Sequence, residues 1–278
     1  MPLPITFLSD YGLEDEFTGV CHAVIARIVP AAPVIDLTHG IRRHDIQQGA
    51  TVLARSLAYT APGVHLAVVD PGVGSSRRAI ALRTEQQGRL LVGPDNGLLL
   101  PAARNFGGVA EAADISFSDF RLDPVSSSFH GRDIFAPVAA TLAQGATLAE
   151  VGEAIGEAEL ERLGGPEPEI SPRHIDAHVA SVDRFGNLTL NVPASALPNT
   201  GLRLGYPLCV DVGGRSTEVH FARTFAEVED GRALVYVDSW GSLAIAVNRG
   251  DASRSLGLDA GDRVGLRPLP SPATVHPR

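Results

Sequence analysis

The sequence VVDPGVGSSRR at residues 68–78 decides how the fold is interpreted. The apolar run at residues 64–69 predicts a buried strand, and an Asp-Pro-Gly turn ends that strand at Asp70. In open α/β sheets, the carboxyl ends of the strands form the edge where ligands bind. Because Arg77 and Arg78 follow on a glycine-containing loop, the stretch predicts acidic and basic side chains at one edge of a sheet.

A second polar loop, SSSFHGRD at residues 126–133, places His130 directly before the apolar helix pattern of residues 134–142. Each stretch alone also has an ordinary structural interpretation. Asp-Pro-Gly is a common turn, loop arginines are usually solvated, and a lone loop histidine is usually structural. Together, Asp70, Arg77 and His130 lie on loops that join sheet elements to the next element, and this favours a catalytic group.

Alternating strand and helix patterns precede the first stretch. Residues 5–8 and 34–37 predict strands, and apolar positions repeating every four residues up to residue 28 predict a helix between them. A second helix follows, with Asp45 as its expected N-cap and Gln48 completing a capping box. This βαβαβ order predicts a doubly wound parallel sheet with right-handed crossovers.

The composition changes at GGPEPE, residues 164–169, which has no apolar periodicity and is the expected domain boundary. Beyond it, six short alternating runs between residues 179 and 247 predict a small antiparallel barrel. The predicted fold class is therefore α/β, with an N-terminal doubly wound parallel-sheet domain and a C-terminal antiparallel β-barrel domain. The expected bounds are 1–163 for the α/β domain, 164–173 for a linker, 174–270 for the barrel and 271–278 for a tail.

Composition narrows the function classes. The 278 residues carry a formal net charge of −9 and contain no run of lysine or arginine, so we expect no nucleic-acid binding. No apolar stretch reaches the roughly 18 residues of a membrane span, and the N-terminus lacks the basic start of a signal peptide. Two distant cysteines, Cys21 and Cys209, give no disulfide framework, which favours a cytoplasmic protein.

Standard catalytic motifs are absent from the sequence. Residues 72–74 are only a fragment of a dinucleotide fingerprint, and there is no GxxxxGK[ST], GxSxG or HExxH stretch. The predicted strand-end turns at Asp10, His39 and Asp70, together with His130, carry side chains that bind metals. Their spacing has no helical chelate geometry, so a metal-dependent hydrolase of a nucleoside-like substrate remains an alternative.

A third polar cluster, DRFGN at residues 183–187, combines a carboxylate, an aromatic ring and an amide in a tight hairpin. Asp183, Phe185 and Asn187 suit a nucleoside, since they offer hydrogen bonds to amino or hydroxyl groups and a face for base stacking. The alternative is a hairpin turn that Asx residues stabilise.

The chain resembles the S-adenosyl-L-methionine (SAM) hydroxide adenosyltransferases, adenosine-forming SAM hydrolases that are related to fluorinase and chlorinase. The resemblance spans nearly the whole chain and rests on several motifs in the family's order. These motifs are FLSDYG at 7–12, the helix start at 45–50, DPGVG at 70–74 with Arg77, residues 93–99, FHGRD at 129–133, DRFGN at 183–187 and DSWG at 238–241.

The resemblance implies hydrolysis of SAM to adenosine and L-methionine, without a cofactor or a metal. It implies that Asp70, Arg77 and His130 hold and activate a water beside the ribose 5′ carbon, and that Asp10 grips the ribose hydroxyls. It further implies a homotrimer with sites between subunits, in which a neighbouring chain's barrel domain holds methionine and adenine. The residues implied there are Asp183, Phe185, Asn187, Ser239 and Trp240, with Asn96 and Phe225 as further substrate-binding positions.

The chain also departs from the halogenating members of the family. Those members carry a serine after the His130 position and an inserted loop, where this chain has Gly131 and a short turn at residues 85–89. Halide chemistry is therefore not expected. The position of Trp240 is often arginine in that branch. Besides the metal-dependent hydrolase, a non-catalytic SAM or adenosine sensor stays open, as does the choice of His130 or Asp70 as the base.

Overall fold

The computed structural model describes residues 1–269, which form two compact units, one ending at Gly164 and the other beginning at Gly165. Residue 270, the last of the expected barrel domain, and the expected tail at 271–278 lie outside the described residues. The functional division between the two parts stays a prediction. Within residues 1–269, no helix has both the length and the apolar character needed to cross a membrane.

The N-terminal unit is built on a seven-stranded sheet in the order β2-β1-β3-β5-β4-β6-β7. Strands β2, β1, β3 and β5 run parallel, whereas β4, β6 and β7 pair antiparallel. The elements are β1 Ile5–Ser9, α1 Phe17–Ile28, β2 Val34–Thr38, α2 Ile46–Ser56, β3 Val64–Val68, β4 Ala79–Thr84, β5 Leu90–Pro94, α3 Leu100–Arg104, β6 Val109–Asp114, α4 Ala136–Ala143, α5 Leu148–Val151 and β7 Glu153–Ile155.

The predicted fold class is confirmed, and the antiparallel half of the sheet has a local cause. Strands β4 and β5 are joined by a short hairpin turn in which Gln87 and Gly88 have φ values of 64° and 57°. Such a short connection reverses the chain and permits only antiparallel pairing. In this hairpin β5 pairs parallel to β3, and β4 pairs antiparallel to β5. The antiparallel half of the sheet therefore begins at β4.

Helices cover both faces of the sheet, as doubly wound topology requires. On one face, α1 and α4 pack on the buried side chains of β1 and β3, including Phe7 and Leu66. On the other face, α2 and α3 pack on Leu8 and Val69, whose side chains alternate with those of Phe7 and Leu66 along the chain and point to the opposite side of the sheet. Because both faces are covered, the strand ends are the part of the sheet that remains available to a ligand.

The start of α2 differs in one detail from the expected capping box. Asp45 is the N-cap, since its Oδ1 accepts a hydrogen bond from the Gln48 backbone N–H at 2.8 Å. The Gln48 side chain accepts instead from the backbone N–H of Arg42 at 2.7 Å. The reciprocal half of the predicted box is therefore wrong, and Gln48 ties the helix to the preceding loop.

The C-terminal unit is a closed seven-stranded barrel. Its ring runs β10-β14-β13-β12-β11-β15-β9 and closes through β9 and β10, with β8 paired to the outside of β9. All pairs are antiparallel except β12 with β13. The elements are β8 Glu169–Ser171, β9 His174–Val182, β10 Leu188–Pro193, β11 Pro207–Val212, β12 Arg215–Phe221, β13 Ala233–Val237, β14 Ser242–Val247, α6 Ala252–Leu256 and β15 Arg263–Pro268.

Two strands of the C-terminal unit have no counterpart among the six predicted runs. Strand β8 lies within the stretch expected to be a linker, and β15 lies near the end of the chain. In β15, Val264 and Leu266 are fully buried and alternate with two arginines. Those arginines pair with Asp176 and Asp211 on neighbouring strands, so β15 completes the ring between β11 and β9.

Candidate active site

Asp70 and Arg77 form a buried ion pair beyond the carboxyl end of β3. Asp70 lies two positions after the end of β3, and Arg77 lies two positions before the start of β4. The loop that joins these two strands therefore brings the two side chains together. Arg77 Nε and Nη2 donate to the two Asp70 carboxylate oxygens at 3.0 and 2.5 Å, which is the bidentate geometry of strong pairs. The Asp70 and Arg77 side chains are only 6% and 8% exposed. Neither charge can therefore be removed without leaving the other buried and unpaired.

His130 joins this pair through the same guanidinium, because Arg77 Nη2 also lies 3.0 Å from His130 Nδ1. The histidine directly precedes a π-helical turn, Gly131–Phe135, that leads into α4, and such turns are frequent at functional sites. The loop before it is fixed by Asp133, whose carboxylate accepts from the Ser126 backbone N–H at 2.8 Å. The structure thus brings together the three predicted catalytic residues from two separate loops, one between β3 and β4 and one before α4.

Burial acts on the two titratable members in opposite directions. Burial raises the pKa of Asp70 above its ordinary value, and the Arg77 guanidinium offsets this only in part. Burial, followed by the positive charge of Arg77, lowers the pKa of His130 below its ordinary value of 6.5. At neutral pH the cluster therefore pairs a neutral imidazole with a carboxylate of increased basicity.

The guanidinium also determines where His130 carries its proton. Arginine offers only N–H donors, so His130 Nδ1 must be the acceptor, and the hydrogen-bond network assigns the proton of the neutral ring to Nε2. The Asp70 carboxylate accepts two bonds from Arg77 and one from the Gly72 backbone N–H, and it keeps lone-pair capacity for a further donor. In this arrangement the Asp70 carboxylate has the capacity to accept a proton, and His130 Nε2–H can donate a hydrogen bond.

A cavity of about 280 Å³ opens beside the cluster, and Asp70 and His130 form part of its wall. Its volume is near the small end of the range of roughly 300–1,000 Å³ that is typical of small-molecule sites. Asp10, which was predicted to bind the substrate, also lines it and is held there by the backbone N–H of His44 at 2.9 Å. Two aromatic side chains, Tyr11 and Phe129, complete much of the apolar wall.

Tyr11 occupies the space next to Gly131. A Cβ atom built at position 131 would overlap the Tyr11 hydroxyl and lie 3.0 Å from Tyr11 Cζ. Burial raises the pKa of Tyr11 well above its ordinary value, so the hydroxyl stays neutral. The serine that halogenating members carry at this position would therefore displace the Tyr11 ring.

Asn96 and Arg78 lie near the cluster, and their contacts are with the protein itself. The Asn96 amide donates to the Val69 carbonyl at 2.9 Å, which supports the backbone immediately before Asp70. Arg78 donates to the buried Asp95 carboxylate at 2.7 and 2.9 Å. Both residues thus hold the strand ends in place, and a direct contact of Asn96 with substrate stays a prediction.

In the barrel unit, the predicted hairpin residues Asp183 and Asn187 bind each other. Asp183 Oδ1 accepts from the backbone N–H groups of Phe185 and Asn187 at 2.8 and 2.9 Å, and Oδ2 accepts from the Asn187 amide at 2.8 Å. These contacts agree with the turn-stabilising alternative. Phe185 remains 67% exposed, so its ring is the member of the hairpin that offers a stacking surface. Substrate contacts by the three residues stay a prediction.

The turn that contains Ser239 and Trp240 is organised by Asp238. Its Oδ1 accepts from the backbone N–H groups of Trp240 and Ser242, both at 2.9 Å. Gly241 adopts the positive φ of 78° that this tight turn requires. Trp240 is 47% exposed, which leaves part of its ring on the surface of the barrel unit.

Tyr236 connects the predicted residues of the barrel unit, and the sequence analysis missed it. Its ring centroid lies 5.2 Å from that of Phe225. Burial raises the pKa of Tyr236 to about 12, and the nearby carboxylates of Asp238 and Asp183 add to this shift. The available signal was one aromatic residue in an otherwise aliphatic strand, two positions before the Asp238 turn. The ring of Phe225 thus packs on Tyr236, and the carboxylates of the hairpin and of the turn are near enough to affect its phenol.

The four residues of the metal-site alternative do not form one ligand group. Within residues 1–269, the one group of three or more His, Cys, Asp or Glu side chains with convergent ligand atoms is His22, Asp36 and His39. His39 is therefore separated from Asp70 and His130. The alternative of a metal centre composed of Asp10, His39, Asp70 and His130 therefore has no support in the structure, because His39 converges with His22 and Asp36 instead.

The fold and the cluster define a two-part class of protein, an α/β unit with an Asp-Arg-His centre at its sheet edge followed by a β-barrel unit. Residues 5–152 match the family model described as the SAM hydroxide adenosyltransferase N-terminal domain, and residues 177–265 match that of the C-terminal domain. This chain belongs to the SAM hydroxide adenosyltransferase family.

Similar proteins extend over almost the full chain. A protein of Salinispora tropica named (R)-S-adenosyl-L-methionine hydrolase is 47% identical, over 95% of this chain and 97% of its own length. A fluorinase of Nocardia brasiliensis is 26% identical, over 95% and 96%. A crystal structure of an uncharacterized conserved protein from Thermotoga maritima has a TM-score of 0.87 and 38% identity, covering 95% of this chain and 99% of that one.

We expect Gly131→Ala to lower the free energy of unfolding by about 1–3 kcal/mol, because the new methyl group overlaps the Tyr11 hydroxyl. Tyr11→Phe removes the overlapping oxygen and should restore part of this loss in the double variant. Urea unfolding of the four proteins measures the coupling. Strictly additive effects would show that Tyr11 does not restrict position 131.

Proposed function

We propose that this protein hydrolyses SAM to adenosine and L-methionine by in-line attack of water on the ribose 5′ carbon. The observation that carries the proposal is the buried Asp70-Arg77-His130 cluster beside a cavity that Asp10 also lines. Membership of the SAM hydroxide adenosyltransferase family and the name of the Salinispora relative support this substrate.

The cluster suits the demands of this reaction. A bond forms between the water oxygen and C5′, the C5′–S bond breaks, and its electron pair stays on sulfur as neutral methionine. Because the sulfonium makes methionine a good leaving group, no acid is needed at sulfur, and the work of the protein is to position a desolvated water. We assign proton acceptance to Asp70, orientation of the water to His130 Nε2–H, and support of both to Arg77.

The remaining substrate contacts in the proposal follow the predicted residues. Asp10 binds the ribose hydroxyls from the cavity wall, where its second acceptor capacity is available beside the His44 bond. Adenine and methionine are held by the barrel residues around Tyr236. The exposed ring of Phe185 supports a stacking role, and the half-exposed Trp240 supports contact at the methionine end.

The proposal includes a homotrimer with its sites between subunits and a cytoplasmic location. The residues that line the cavity beside Asp70 belong to the N-terminal unit. The predicted adenine and methionine contacts lie in the barrel unit, and the family resemblance assigns them to a neighbouring chain. The two thiols, Cys21 and Cys209, are both free, and free thiols are typical of reducing compartments.

Incubation of the purified protein with SAM should release adenosine and methionine in equal amounts. In ¹⁸O-labelled water, mass spectrometry should find the label on the 5′ oxygen of adenosine, because water attacks that carbon. Asp70→Asn should reduce kcat by ~10²–10⁴-fold, since it removes the proton acceptor. Asp119→Asn changes an exposed carboxylate of the same unit and serves as the matched control.

Two His130 variants separate the possible roles of its ring nitrogens. His130→Gln keeps an N–H near the Nε2 position, whereas His130→Asn keeps an acceptor for Arg77 and loses that donor. If His130 Nε2 is the donor, the Gln variant should retain more activity than the Asn variant. Unlabelled adenosine, full activity of Asp70→Asn, or the reverse order of the His130 variants would contradict the assigned roles.

The pH dependence of kcat/KM should show an acid limb. Protonation of His130 would turn Nδ1 into a donor facing Arg77, and protonation of Asp70 would remove the acceptor, so the rate falls as pH falls. Because the pKa of His130 is lowered, the rate should hold down to pH 6.5 and decline below it. His130→Asn should move the decline to lower pH, where only Asp70 titrates. A rate that rises on acidification would exclude this scheme.

Shared sites can be tested by complementation within mixed assemblies. We expect Asp70→Asn and a Phe185→Ala/Trp240→Ala double variant each to be weakly active alone. Co-expressed from differently tagged genes and co-purified through both tags, they should regain about a third of wild-type activity, because every mixed trimer has one of its three sites built from two intact halves. Size-exclusion chromatography with light scattering checks the trimer. No gain over the separate variants, or a monomeric mass, would refute intersubunit sites.

A further inference from the structure

His22, Asp36 and His39 form a second polar cluster in the N-terminal unit. His22 Nε2 lies 2.8 Å and His39 Nε2 lies 3.1 Å from the same Asp36 oxygen, Oδ1. All three atoms lie within 4.8 Å of one another. None of these residues lines the cavity beside Asp70, so the cluster is outside the proposed reaction.

The fold builds this cluster through an irregularity between β1 and β2. In their parallel pairing, Phe7 faces Asp36 and Leu8 faces Thr38, so one residue of β2 is skipped. Residues three apart on a regular strand point to opposite faces, whereas a bulge redirects side chains. The bulge therefore allows Asp36 and His39 to converge on the same side, where His22 approaches from α1.

His39 is the buried member of the cluster, with its side chain only 2% exposed. Its Nδ1 lies 2.7 Å from Ser9 Oγ, whereas its Nε2, 3.1 Å from Asp36 Oδ1, makes no hydrogen bond of good geometry among the described residues. A histidine that binds a metal through one ring nitrogen usually forms a hydrogen bond through the other, which fixes the orientation of the ring. His39 has this arrangement, since Ser9 holds Nδ1 and Nε2 is directed into the cluster. Phe7 packs on the ring at a centroid distance of 4.7 Å and fixes its orientation.

The donor set and its spacing suit a zinc-class ion. Two imidazole nitrogens and a carboxylate oxygen are characteristic ligands of Zn²⁺, which binds them at ~2.0–2.2 Å, so tetrahedral ligand atoms lie ~3.3–3.5 Å apart. The observed separations of 2.8 and 3.1 Å from Asp36 Oδ1 require an opening of a few tenths of an ångström. His22 and Asp36 are 32% and 43% exposed, which gives an ion and a fourth, solvent ligand access.

We propose that His22 Nε2, Asp36 Oδ1 and His39 Nε2 bind a divalent transition-metal ion of the zinc class, with solvent as the fourth ligand. The ion joins α1 to the end of β2. Through Ser9, whose Oγ also accepts from the Tyr11 backbone N–H at 3.2 Å, it supports the turn that carries Asp10. Its role is structural, because the three ligands belong to packed elements and not to the cavity wall.

Titration of the chelator-treated, full-length protein with zinc chloride by calorimetry tests the proposal. We expect one ion per chain, and at least a ~10-fold loss of affinity in His22→Ala and Asp36→Asn. Zinc should raise the thermal midpoint of the wild type but not that of either variant. Cobalt chloride should give the visible absorption bands of a tetrahedral site in the wild type only.

His220→Ala is the matched control, since it removes an exposed imidazole from β12 of the other unit. It should bind zinc as the wild type does. His22 lies on a helix and is partly exposed, and Asp36→Asn preserves side-chain shape, so circular dichroism can verify the fold of both variants. Wild-type affinity weaker than ~100 µM, or zinc binding by His22→Ala equal to that of the wild type, would overturn the proposal.

Discussion

The guanidinium of Arg77 is the constraint on which the site depends. It donates to both oxygens of Asp70, approaches His130 Nδ1 at 3.0 Å and donates to the Arg78 carbonyl at 3.0 Å. Its carbon lies 5.4 Å from the Phe135 ring centroid, so its apolar face is covered as well. A buried cation is stable only with such partners, and satisfying them fixes the β3–β4 loop and the start of the turn before α4 at one point. The geometry that stabilises this charge is therefore also the geometry that orients the acid–base groups.

The parts of the fold that depend on local patterns could be predicted from the sequence. An apolar run closed by Asp-Pro-Gly identifies the strand before Asp70, and an apolar helix pattern preceded by a polar loop identifies the position of His130. Because parallel strands end at a common edge, element order alone places their turns together. That edge includes Asp10, which the structure places in the same cavity wall. The roles of these residues came from the family resemblance and not from periodicity.

The features that the sequence could not show depend on contacts between distant residues. Strand β15 carries arginines whose charges are neutralised by acids on neighbouring strands, and nothing in the linear order identifies those pairs. Tyr236 packs against Phe225, and burial together with two carboxylates on other turns raises its pKa, through contacts that the linear order does not identify. The convergence of His39 with Asp36 and His22 could not be anticipated, because regular strand alternation does not predict the bulge between β1 and β2.

The end of β1 joins the two polar clusters of the N-terminal unit. Ser9 bonds to His39 through its hydroxyl, Asp10 lines the cavity, and the Tyr11 hydroxyl lies over Gly131. The Gly12 backbone N–H donates to the His39 carbonyl at 2.8 Å, so both sides of this turn are tied to the residue after β2. The four consecutive residues 9–12 thus connect the packed elements α1 and β2 to the wall of the cavity. Disturbance at His39 would reach the turn that carries Asp10 through two hydrogen bonds, to Ser9 and Gly12, so the polar cluster behind this turn supports the position proposed to bind ribose.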